Sequence, residues 1–224
     1  MKACFFGSIG VLIESSRLQR LAYNSAFEEL GIDLYWNVAT YCKLLEVPGG
    51  LRRLEAVLGG DWPVGFAEEL HLVKQTHFER LASDGLSLRP GIAEALEYCR
   101  ANSIRLAWVT TTTPEMLETL SRYTAGLNIA DFELVCTKDD VEKEKPDPEV
   151  YRHALARMKL STADVVTIED TPANQAAALA ADLQCYLFPG EYAAIDHNLL
   201  TCRDVRGAID SAYTRWRTGS ELAA

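Results

Sequence analysis

The sequence predicts an α/β protein: a parallel sheet flanked by helices and interrupted once by an all-helical insertion. Three observations carry this reading. The chain opens on a short, almost wholly apolar run, Lys2 to Phe6, the pattern of a strand buried on both faces. From Leu88 onward, strand-like runs alternate with helices, which implies crossover connections and therefore parallel strands. Between them, from residue 14 to about residue 87, the periodicity is helical throughout. The expected organisation is a core of residues 1–13 and 88–224 with residues 14–87 as a helical cap. That cap would sit over the carboxyl edge of the sheet, where ligands bind in open α/β folds.

Each element has its own signal. Gly7 and Gly10 break the first strand. Leu18, Leu21, Ala22, Ala26, Phe27 and Leu30 recur at three- and four-residue steps, one face of a helix over residues 15–30. Shorter helices are expected over Tyr41–Leu45 and Leu51–Leu58. A longer one follows Trp62-Pro63, with Phe66, Leu70, Val73, Phe78 and Leu81 as its stripe. Ile104–Val109, Phe132–Cys136, Val165–Ile168 and Leu183–Phe188 read as the later strands. The intervening helices begin at Thr113-Pro114, Asp147-Pro148 and Thr171-Pro172, each a capping side chain before a proline.

Composition bounds the function. A chain of 224 residues, 48% hydrophobic and 24% charged, is an ordinary folded domain or a core with one insertion. Its net charge of −10 repels nucleic acid and anionic lipid, so neither is an expected partner. No apolar run approaches the ~20 residues of a membrane span. The first thirteen residues have the look of a signal peptide, but no small-x-small cleavage site follows, and a buried strand is the preferred reading. The six cysteines form no C-x-x-C pair, which leaves zinc and dithiol redox sites unsupported. Several lie in apolar segments, as expected of thiols in a reducing cytoplasm.

The chemistry collects at the strand ends. Thr110 to Thr113 follow one strand, Lys145-Pro146-Asp147-Pro148 follows the next, and Glu169-Asp170-Thr171 follows the third. Hydroxyls, an ammonium and helix amino ends suit a phosphate group. Paired carboxylates suit magnesium.

With these residues in place the chain resembles the haloacid dehalogenase-like hydrolases that carry a helical cap after the first strand. It is similar to their sugar-phosphate branch: β-phosphoglucomutase, phosphoglycolate phosphatase and, most nearly, the xylulose-1,5-bisphosphate phosphatases. The resemblance implies a Rossmann-like core. It places the phosphate-binding threonine at Thr110 in LAWVTTTTP, with Thr111 beside it, and the family lysine at Lys145 in EKPDPEVY. It places the acidic, metal-binding motif at Glu169-Asp170 and a substrate arginine of the cap at Arg53 in LLEVPGGLRRL. Asn174 and Asp182 stand where relatives often have glycine.

The resemblance breaks at the first strand. The family has a D-x-D-G loop; here Phe6 is followed by Gly7-Ser8-Ile9-Gly10, and no D-x-D occurs elsewhere. Gly7 stands at the nucleophilic aspartate and Ile9 at the acid/base aspartate. Glycine has no oxygen to attack phosphorus, and isoleucine cannot exchange a proton. The family's Mg2+ would also lose a ligand, leaving Asp170 with help from Glu169, so magnesium binding is expected to be weak or absent. Ser8 is expected to point away from the site and has no histidine near it in sequence; His71, His77, His153 and His197 all lie far along the chain. Lys145 has two readings, a phosphate donor or an ion-pair partner of Asp170 or Glu169. Arg52 reads as an exposed helix residue.

Three functions follow. The first is a degenerate family member, a pseudoenzyme that binds phosphate or a small phosphorylated metabolite. The second is an active phosphatase or phosphoglucomutase acting on small phosphorylated sugars. The third is a non-catalytic interaction or regulatory protein, for which the sequence carries no specific signal.

Overall fold

A computed structural model describes residues 1–47, 49–59, 62–193 and 200–222. His197 lies outside the described residues. Five parallel strands form the main sheet in the order β5-β3-β1-β6-β7, with β1 Ala3–Phe6, β3 Arg105–Val109, β5 Leu134–Cys136, β6 Val165–Glu169 and β7 Gln184–Leu187. β1 is central: Phe6 pairs with Trp108 on one side and Ile168 on the other. Both faces of β1 are covered, which is why its sequence is continuously apolar. Cys4 and Phe6 join one hydrophobic cluster with Trp108, Ile168 and Leu120, while Ala3 and Phe5 join the opposite one with Val109, Val150 and Tyr151. Burying each such Phe side chain contributes about 1.5–3 kcal/mol.

After β1 comes a short helix, α1 Ile9–Leu12. Four helices then lie between α1 and the next strand: α2 Ser16–Glu29, α3 Val38–Leu44, α4 Gly50–Leu58 and α5 Phe66–Ala82. They enclose a separate aromatic cluster of Tyr23, Phe27, Trp36 and Tyr41 with Leu54 and Leu70. Tyr23 and Trp36 are packed with ring centroids 4.5 Å apart. The helical run ends at β2 Leu86–Ser87, which pairs in parallel with β4 Thr124–Ala125 as a two-stranded sheet absent from the sequence reading. Two-residue strands carry too little pattern to be seen in a sequence.

The remaining helices cover the main sheet: α6 Ile92–Ala101, α7 Pro114–Tyr123, α8 Glu149–Met158, α9 Pro172–Leu179 and α10 Val205–Leu222. Thr113 and Thr171 cap α7 and α9 by accepting from the Met116 and Asn174 amides. At α8 the expected pattern is displaced by one residue: Pro148 is the cap, and Asp147 accepts from the Glu149 amide.

The two stems of the helical run meet. The Arg89 amide donates to the Leu12 carbonyl at 2.8 Å. The Arg89 guanidinium donates to the carbonyls of Gly10, Phe188 and Pro189 at 2.5, 3.0 and 2.6 Å, and lies 3.6 Å from the Phe188 ring centre. One cation thus joins the loop after β1 to the segment after β7. Among the described residues no helix is long and apolar enough to cross a membrane.

Arg89→Ala leaves those three carbonyls without their donor. We expect a loss of roughly 2–4 kcal/mol in urea unfolding, since hydrogen bonds to charged groups are worth ~1.5–3 kcal/mol each and are not additive.

Candidate functional site

The carboxyl ends of β1, β3 and β6 face the four inserted helices across a cavity of about 490 Å³. From the sheet side it is lined by Ser8, Thr110 to Thr113, Asp170 and Asn174, and from the helical side by Tyr23, Arg52, Arg53, His71, Lys74 and Gln75. Lys138, Glu55 and Glu144 also reach it. Arg52, Arg53, Lys74 and Lys138 thus share the cavity with the carboxyl groups of Glu55, Glu144 and Asp170.

Beneath the sheet side lies a buried polar knot. Glu169, at the end of β6, is fully buried, and Lys145 is 1% exposed. Lys145 Nζ donates to Glu169 Oε1 at 2.5 Å and to the Val109 carbonyl at 2.7 Å, and it reaches Ser8 Oγ at 3.4 Å. The Tyr151 hydroxyl also donates to Glu169 Oε1. The amides of Ser8 and Asp170 donate to Glu169 Oε2 at 3.0 and 3.2 Å. Burial, then the adjacent carboxylate, holds the Tyr151 phenol well above its ordinary pKa, so it remains a donor. A buried charge needs such full satisfaction to be tolerated.

The place this carboxylate occupies depends on Gly7. A Cβ built on Gly7 would lie 2.2 Å from the Glu169 carboxyl carbon and 2.3 and 2.5 Å from its oxygens. The carboxylate is anchored by four hydrogen bonds and cannot simply swing aside. Gly10 is similarly constrained, with its Cβ position 2.2 Å from Asp170 Oδ2.

Ser8 departs from its expected orientation. The chain turns at Ser8 (φ −64°, ψ 170°) directly into α1, and Ser8 lines the cavity. There it accepts from Asn174 Nδ2 at 2.8 Å. Asn174 Nδ2 also donates to Asp170 Oδ1 at 3.0 Å. The Asp170 carboxyl is pushed up to about 7, chiefly by burial and next by the Glu169 carboxylate.

Of the residues singled out in the sequence, Thr110, Thr111, Arg53 and Asp170 line one cavity, whereas Lys145 and Glu169 lie behind Ser8 and do not line it. Thr110 Oγ1 accepts from the Thr112 amide at 3.1 Å. Arg53 is 8% exposed and donates to the carbonyls of Leu44 and Val47 at 2.8 and 3.0 Å, with its guanidinium 5.6 Å from the Tyr41 ring centre. Arg52 is exposed yet borders the cavity.

Lys74 was not singled out in the sequence. It is 2% exposed and occupies the buried stripe Leu70, Lys74, Phe78, Ala82 of α5. A lysine at a four-residue step within an apolar stripe is the signal that marks it.

Comparison with known proteins agrees with this picture. A family model for haloacid dehalogenase-like hydrolases matches residues 1–182. Protein CbbY of Rhodobacter capsulatus is 36% identical over 197 residues, 86% of this chain and 87% of its own length. CbbY of Rhodobacter sphaeroides in complex with phosphate superposes with a TM-score of 0.82 at 31% identity, covering 92% of this chain and 95% of that one. A mutant of the same protein in complex with xylulose-1,5-bisphosphate gives 0.83, with the same identity and coverage.

Two opposite stability effects follow from the knot. Glu169→Gln strands the Lys145 charge, and chemical unfolding is expected to show a loss of about 3–5 kcal/mol. Asp170 titrates ordinarily near 3.8 and in the fold near 7, so the native state holds its proton across that window. Its contribution is therefore fully present at low pH and is lost as pH rises through about 7. Relative to the parent, Asp170→Asn is expected to gain roughly 1–4 kcal/mol between pH 4 and pH 8 in paired unfolding titrations.

Proposed function

Because the chain belongs to the haloacid dehalogenase-like hydrolases, and because its first loop offers Gly7 and Ile9 where that family has two aspartates, we propose that it is a catalytically degenerate member that binds a small phosphorylated sugar without magnesium. The observation that carries this reading is the Glu169 carboxylate, lodged in the space a residue-7 side chain would fill and bound there by Lys145 and Tyr151.

The donor set does not suit magnesium. The metal prefers near-octahedral oxygen coordination and usually takes one or two carboxylates. Here Glu169 is turned inward onto Lys145, and Asp170 is tied to Asn174 and held toward its protonated form. Among the described residues no group of three or more His, Cys, Asp or Glu side chains converges as a metal site.

An anion is better served. With Lys145 neutralised, a phosphate on the cavity side meets the hydroxyls of Thr110, Thr111 and Ser8 and the amino end of α7. The helical insertion acts as a cap, and Arg53, Lys74 and Lys138 face the rest of the ligand. The CbbY complexes with phosphate and with xylulose-1,5-bisphosphate support this ligand class. In-line transfer is not supported: the Ser8 hydroxyl has no free base, since its Lys145 neighbour is engaged by Glu169.

Calorimetry with xylulose-1,5-bisphosphate is the test. Binding is expected to change less than about twofold on chelation of divalent ions, and Thr110→Val to weaken it about tenfold, roughly one hydrogen bond to a charged group. No phosphate should be released. Chelator-sensitive release that Lys145→Ala abolishes would establish the active-phosphatase reading instead.

A second expectation concerns Gly7→Asp. The new carboxylate crowds Glu169 and adds a third acidic group beside Asp170. We expect a loss of ~1–3 kcal/mol without metal, recovered on adding magnesium, while the parent melts identically in both.

A further inference from the structure

Lys74 is a buried amine on the helical side of the cavity, and the binding reading uses it only as a charge. Its Nζ donates to the Gln19 amide oxygen and lies 5.0 and 5.3 Å from the ring centres of Tyr23 and Phe78. Among the described residues no carboxylate lies within ion-pair distance of it. His71, about one turn away on α5, also lines the cavity, as does the next residue, Gln75. His71 Nδ1 and Gln75 Oε1 are both buried without a hydrogen-bond partner in the protein. An amine with no carboxylate partner and an imidazole about one turn away thus belong to the wall of the same cavity.

We propose that Lys74 captures the open-chain carbonyl of a bound phosphosugar as an imine, a step that rests on the phosphosugar reading above. The amine lone pair attacks the carbonyl carbon, a C–N bond forms, and the carbonyl oxygen takes a proton to give a carbinolamine. Water then leaves, the nitrogen gives up its proton, and C=N remains. No oxidant or reductant is involved.

The surroundings favour a nucleophilic amine. Burial first, and the Arg53 cation on α4 second, bring the Lys74 ammonium down to about 7. The groups facing it are Gln19 and Tyr23 from α2, Arg53 from α4, and His71 and Phe78 from α5. Burial and the cations Lys74, Lys138 and Arg53 bring His71 down to about 4, so it is neutral at physiological pH. Tyr23 is raised by burial and stays protonated.

The experiment uses the full chain with ribulose 5-phosphate, a ketose that cannot close through its 5-hydroxyl, and sodium cyanoborohydride, which reduces an imine to a stable amine. Ribitol 5-phosphate, lacking the carbonyl, is the comparator. The expected result is one sugar per chain on the peptide bearing Lys74, with labelling that rises through about pH 7 and with none from ribitol 5-phosphate. Lys74→Arg, which has no amine able to form the imine, is expected to lose the label. Peptide mapping of the parent gives the answer even if that variant folds poorly. Binding of both compounds with no adduct at Lys74, or label spread evenly over surface lysines, would overturn the imine while leaving phosphosugar binding intact. Failure of both compounds to bind would overturn it together with the binding reading.

Discussion

The ion pair between Lys145 and Glu169 organises everything at the sheet's carboxyl edge. It gathers groups from four separate segments: the loop after β5, the end of β6, the Val109 carbonyl of β3 and the Ser8 amide after β1. An isolated buried carboxylate or ammonium would cost several kcal/mol. Here every strong acceptor position on Glu169 is met, and the three ammonium donors of Lys145 have partners. The absence of a side chain at Gly7 is the condition for this arrangement, because the carboxylate takes that volume.

The same pair sets what the cavity can do. Lys145 and Glu169 hold each other, and neither lines the cavity. The sheet side keeps neutral donors, hydroxyls and helix amides, with Asp170 held toward its protonated form. Arg53 on the helical side, with Arg52 and Lys138, supplies positive charge to the same cavity. Such a division suits recognition of an anion and offers no oxygen nucleophile paired with a free base.

Much of this was legible in the residues. The strands showed because burial on both faces demands unbroken apolar runs, as in Cys4-Phe5-Phe6. The starts of α7 and α9 showed because Thr113 and Thr171 stand before prolines. The small β2–β4 pair and α1 did not show, being too short to express a period. Asp182 was noticed as a replacement for glycine, and the structure supplies the reason: it holds φ +57°, the left-handed region that glycine adopts without cost. In the site, pairing of Lys145 with Glu169 was one of two open readings, and the contact between them depends on packing of segments distant in sequence. Ser8 was expected to point away from the site, whereas its hydroxyl bonds Asn174, a residue of the cavity wall. Lys74 was missed because its α5 stripe was read from apolar residues alone.

The central claim is that Glu169 belongs to Lys145 and not to a metal. A crystal structure of the chain grown with magnesium and phosphate tests it most directly. The account predicts phosphate against Thr110 and Thr111, no magnesium, and the Glu169 carboxylate still within about 3 Å of Lys145 Nζ, an ordinary charge-assisted contact. A magnesium ion coordinated by both Glu169 and Asp170, with Lys145 released toward the phosphate, would contradict it.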